Sequence, residues 1–122
     1  MDARVAEFMQ IMGMEETYRT LIMDEFQDLE KTPAFKGVTF DRETKNRLAL
    51  KGAKELVLAY GNLMEDKFRS QPQYLDALLA YMKTPSGHHI VFGLYMVQTQ
   101  LGAAIKGIFP RLFAELTATG RK

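Results

Sequence analysis

Apolar residues recur every three or four positions along most of the chain, and strand-like alternation is nearly absent, so the pattern predicts helices. Val5, Phe8, Met9 and Met12 fall on one face of a short helix over 2–12, with Asp2 placed to cap it. Gly13 interrupts. Met14, Tyr18, Leu21, Ile22, Phe26 and Leu29 then repeat over a second helix, 14–30, and the two are expected to form a bent or antiparallel hairpin. Residues 31–40, KTPAFKGVTF, contain Pro33 and Gly37 and have no helical period. They read as a loop with Phe35, Val38 and Phe40 tucked onto the core.

Asp41 is a suitable N-cap for a long third helix over 41–69, whose stripe is Ala53, Val57, Tyr60, Met64 and Phe68, broadened by Leu56 and Leu63. Ser70 and Pro72 end it and open a fourth helix, 72–83, with Leu75, Leu78, Leu79 and Met82 on its buried side. At YMKTPSGHH (81–89) the pattern breaks and resumes. Pro85 disfavours a helical conformation at Thr84, which stops the fourth helix. Thr84 can then cap a fifth, with Pro85 in its first turn and Gly87 permitting close approach.

That fifth helix, 85–118, carries Ile90, Leu94, Val97, Leu101, Ile105, Ile108 and Leu112 at steps of three and four, and Phe92, Met96 and Ala103 on other faces. Lys106 is the sole Lys, Arg, Asp or Glu between residues 84 and 110. A helix apolar nearly all round is expected to be buried on several sides. Pro110 should kink or end it. The unbroken apolar run Ile90–Val97 is far short of the roughly 20 residues of a membrane span, so no transmembrane segment is expected. The fold class is therefore all-α: a single domain, 1–122, of about five helices around a long C-terminal core helix.

Composition changes this picture little. With 122 residues, 47% of them hydrophobic, the chain can bury a core without staples, and the lack of cysteine excludes disulfides, thiolate metal sites and cysteine nucleophiles. Charge adds more. The net is +1, but residues 1–30 hold eight acids and two bases, while Lys31, Lys36, Arg42, Lys45, Arg47, Lys51 and Lys54 crowd the next stretch. Such a face suits either an anionic partner or the acidic first segment of the same chain. The modest net charge, with no clear aromatics among the bases, favours the second reading, and no nucleic acid is expected.

LDALLAYMKTPSGHH (75–89) resembles the signature of a bacterial family known as domain of unknown function 2059: a leucine-rich helix, an aromatic pair (here Tyr81 followed by Met82 in place of the second aromatic), then Ser/Thr-Pro-x-Gly and a long final helix. Leu75, Leu78, Tyr81, Thr84, Pro85 and Gly87 stand at matching places, Phe68 is similar to the preceding aromatic, and RVAEFMQIMGMEETYRTLI is similar in kind to the family's N-terminal part. The resemblance implies an all-helical, exported bacterial protein, hence a periplasmic location. Without it, a cytoplasmic one would be expected. It implies no catalytic residue.

Candidate chemistry is sparse. His88 and His89 are the two histidines, and as helical neighbours they point about 100° apart and cannot chelate one ion. No metal site and no cofactor is expected. The carboxylate pairs Glu15–Glu16, Asp24–Glu25 and Glu65–Asp66 lie on polar helix sides, where solvated charge is the expected role. Ser86 beside His88 lacks the orienting group and oxyanion site a hydrolase requires. No phosphate loop, nucleophile elbow or zinc-helix motif is present, so no catalytic residue is named.

Two features bear on binding. Eight methionines, with Met9, Met12, Met14 and Met23 clustered early, suit adaptable packing or an adaptable binding surface. Ala103 and Gly107, with Gly93, let a second helix approach the last one. The leading expectation is a non-enzymatic binding or protein-interaction module acting through an apolar groove or a homodimer face. The alternative is a small-molecule or lipid carrier, or an enzyme, with a pocket near Tyr81, His88, His89, Phe92 and Met96 at the Thr84–Pro85–Gly87 corner.

Overall fold

The structure is a computed structural model and describes residues 1–120. The chain is all-α: α1 (Ala3–Met12), α2 (Met14–Glu30), α3 (Arg42–Lys67), α4 (Gln73–Met82) and α5 (Pro85–Thr119), with a 3-10 turn at Pro33–Phe35 and no strand among the described residues. The helices fall into two compact units, one ending at Lys83 and one beginning at Thr84.

In the first unit three boundaries have a clear local cause. Asp2 accepts the Arg4 backbone N–H at 2.8 Å and so caps α1. Gly13, at φ +64°, ends α1 in the left-handed region that glycine enters without a Cβ penalty, and α2 starts at once. The Asp41 carboxylate accepts both the backbone N–H and the hydroxyl of Thr44, at 2.9 and 2.8 Å, and starts α3.

α2 lies along α3, and α1 touches α2, α3 and α4. The core of this unit is Val5, Phe8, Met9, Met12, Met14, Ala49, Ala53, Met64, Leu75, Leu79 and Met82, all buried. Gly52 lets α2 come close: a Cβ there would lie 2.8 Å from Ile22 Cδ1. Polar contacts clamp the edges. The Arg4 guanidinium donates to Asp2, to the Pro72 carbonyl at 3.0 Å and to Asp76 at 3.2 Å, while the Asp2 N–H donates to Glu65. Lys83 pairs with Glu7 at 2.9 Å.

Some expectations about burial are corrected here. Val38 and Phe40 are exposed, because the 3-10 turn and the positive φ of Gly37 carry the loop outside the core; Phe35 and Phe40 pack on each other instead, ring centroids 5.6 Å apart. Leu56 and Leu63 do not widen the buried stripe of α3, and Leu63 is 70% exposed.

The second unit is α5, 35 residues that run unbroken through Pro110. The Ile90–Leu112 stripe expected to form the core of the bundle is exposed, each of its residues between 42% and 64%. At 1.5 Å per residue this helix is about 52 Å long. Apolar periodicity marks the face of a helix that needs cover, whereas cover itself depends on which surfaces meet, and spacing along one helix does not encode that.

Candidate functional site

At the start of α5, Thr84 is extended (φ −86°, ψ 148°), its hydroxyl oxygen accepts the Gly87 N–H at 3.0 Å, and Pro85 occupies the first turn, where its missing N–H costs nothing. Gly87 is buried. The remaining burial on α5 lies between residues 91 and 99, apart from a half-buried Thr117: Tyr95 is buried, and Val91, Phe92, Met96 and Thr99 are half-buried.

The residues singled out from the sequence occupy separate positions. Tyr81 is on α4 and 43% exposed. His88, Phe92 and Met96 form one row along α5, each a turn from the next, and the His88 and Phe92 rings stack at 5.9 Å and 7°. His88 and His89 are both exposed. Among the described residues, no group of three or more His, Cys, Asp or Glu side chains could hold a metal ion.

The dominant feature is the exposed apolar surface of α5. Ten large hydrophobic side chains on it are at least 42% exposed, and every residue from Gln100 to Leu116 is exposed. Beyond the Ile90–Leu112 stripe, Phe109 and Phe113 stack one turn apart, centroids 6.4 Å, and Leu116 extends it. Lys106, Arg111 and Glu115 are the charged residues of this helix. No helix among the described residues is long and apolar enough to cross a membrane.

The basic stretch behaves differently. The acidic α2 lies along the basic α3, and Lys45 donates to Glu30 at 2.8 Å with both side chains less than a fifth exposed. Part of the positive charge is thus matched within the chain.

One cavity went unforeseen. It has a volume of about 690 Å³ between α1, α2 and α3, with Met1, Met9, Met14, Val57 and Leu58 on its apolar walls and Glu15, Glu16 and Lys54 on its rim. The early methionine cluster was the one signal of it in the sequence, and three helices must meet before the space exists.

The chain matches no family model, no curated protein and no solved structure.

Proposed function

We propose that this chain is a non-enzymatic protein-interaction module of the bacterial periplasm, and that its working surface is the apolar side of α5. The observation that carries the reading is the set of ten large hydrophobic side chains exposed together on one nearly uncharged helix. Soluble chains seldom leave a contiguous apolar patch above about 300–600 Å² uncovered unless something binds it. The periplasmic location rests on the resemblance of residues 75–89 and on nothing else.

The test is the binding of a hydrophobic fluorescent dye, or of an amphipathic helical peptide, to the wild type and to Leu101→Asp. The reading expects binding that the substitution weakens. Equal binding by both would remove α5 as the working surface. Export is checked separately by fusing the natural gene with its own N-terminus to a reporter active only outside the cytoplasm.

A second reading, a carrier of small apolar molecules, has one observation in its favour: the methionine-lined cavity of about 690 Å³, within the size range of ligand sites. Its lining includes none of Tyr81, His88, His89, Phe92 and Met96, so the carrier reading moves to Met9 and Met14. Uptake of a fatty acid or similar probe that Met9→Ala or Val57→Asp alters, and Leu101→Asp does not, would favour it.

A further inference from the structure

An interaction surface on α5 leaves its occupant open, and the helix itself points to one. From Leu94 the exposed residues advance by steps of three, four and four: Leu94, Val97 and Leu101, then Ile105, Ile108 and Leu112, then Leu116. That is an eleven-residue repeat, about 3.67 residues per turn, so the stripe runs nearly parallel to the helix axis with a slight right-handed drift. A heptad seam drifts the other way. The surface that follows such a stripe over its full length is another helix of the same period.

We infer that a second copy of this chain covers the stripe, α5 against α5, in a two-fold dimer. The inference rests on the reading of α5 as an interaction surface and names its partner. In a two-fold contact the same patch serves both sides, so one period is automatically matched to the other.

The exposed area fits. A large aromatic side chain buries about 150–250 Å² and the aliphatic ones somewhat less, so the eight stripe side chains from Ile90 to Leu116 and the flanking Phe109, about half exposed, offer roughly 700 Å². A standard interface buries a comparable area, about 800 Å² per partner.

Charge fits as well. Of the charged residues on α5, Lys106 lies away from the stripe, while Arg111 and Glu115, one turn apart and of opposite sign, flank it. Two copies therefore meet without strong like-charge repulsion. The same scarcity argues against a lipid surface as occupant, since helices that lie on membranes carry Lys and Arg along the polar face.

Helix propensity gives the third argument. Gly102, Gly107 and above all Pro110 are disfavoured relative to alanine inside a helix. An exposed segment with all three does not sustain a helix by propensity, and packing must supply the difference. Burial of the stripe by a second copy does so. Ala103 and Gly107, on the far side of the helix from Leu101, are not needed for this contact.

The absence of cysteine makes the test direct. Sedimentation over a wide dilution series is expected to show a monomer–dimer equilibrium, with Leu101→Asp raising its dissociation constant at least about tenfold, since each factor of ten needs only 1.4 kcal/mol. Single-cysteine variants Leu94→Cys, Leu101→Cys and Ile108→Cys report the seam under mild oxidation. All three crosslink in a parallel pair, the one nearest the axis in an antiparallel pair, and Ala103→Cys in neither. A wild type that stays monomeric, yet binds hydrophobic dye in a Leu101-dependent way, overturns the dimer and keeps the interaction surface. A monomer that binds no dye overturns both. A monomer that floats with phosphatidylglycerol–phosphatidylcholine vesicles assigns the stripe to a bilayer and overturns the dimer.

Discussion

In α1 the four residues of the apolar face, Val5, Phe8, Met9 and Met12, are at most 5% exposed; in α5 the face built on the same three-and-four spacing is 42–64% exposed from Ile90 to Leu112. Periodicity does not separate the two helices. Length and neighbours do. α1 has ten residues and touches α2, α3 and α4, so a small amphipathic helix is walled in on every apolar side. α5 is more than three times as long, and its stripe from Ile90 to Leu112 is left exposed. A hydrophobic pattern states which side of a helix needs cover. What supplies the cover depends on the rest of the assembly.

The contrast is sharpest for paired truncations. Phe8→Ala removes a buried aromatic from α1 and should destabilise the chain by about 3–5 kcal/mol in denaturant unfolding. Phe109→Ala removes an aromatic that is 64% exposed and should change monomer stability by less than about 0.5 kcal/mol, within the range for surface positions. Comparable losses at the two sites would break the comparison, because α5 would then have to be covered within one chain.

Smaller effects test the devices that set the two units apart. Lys45→Ala strands Glu30 in a largely buried place and should cost about 1.5–3 kcal/mol, the range for a hydrogen bond to a charged group. A neutral result would mean that the match between acidic α2 and basic α3 is incidental. Thr84→Ala loses the cap on Gly87 and should cost about 0.5–2 kcal/mol, read as fraying at the start of α5 by amide exchange.

The smallest effect is a pH dependence. The Arg4 side chain and the cap hydrogen bond to the Arg4 N–H hold the Asp2 carboxyl at about 2, against an ordinary 3.8, and hydrogen bonds from Thr44 lower that of Asp41. Both groups bind protons more tightly unfolded than folded. Their stabilising contribution is complete above the ordinary aspartate value and is lost as pH falls below it, toward about 2 in the case of Asp2. Asp2→Asn should therefore flatten the acid limb of a stability–pH curve and leave the neutral region level. A slope near neutrality altered by this variant would show that another group is involved.

How much of this was legible in the sequence follows the same division. α1 and α4 could be read closely because Val5, Phe8, Met9, Met12, Leu75, Leu79 and Met82 pack within short helices whose neighbours are in the chain. The break between Lys83 and Pro85 was legible because capping and proline geometry act over three residues. The exposure of Leu63 was not, since a residue one position off a stripe looks like part of it until the angle of the facing helix is known. The cavity beside Met9 and Met14 and the bare face of α5 were hidden for a common reason: each depends on which surfaces meet, and spacing along one helix carries no record of that.

Amide hydrogen exchange at two protein concentrations addresses the central claim most directly, because it reads α1 and α5 in the same molecule. Protection of Val5–Met12 should be high and unchanged by dilution, whereas protection of residues 100–116 should rise with concentration as second copies cover the stripe. Protection of that segment of α5 that equals α1 and is indifferent to concentration would contradict the account.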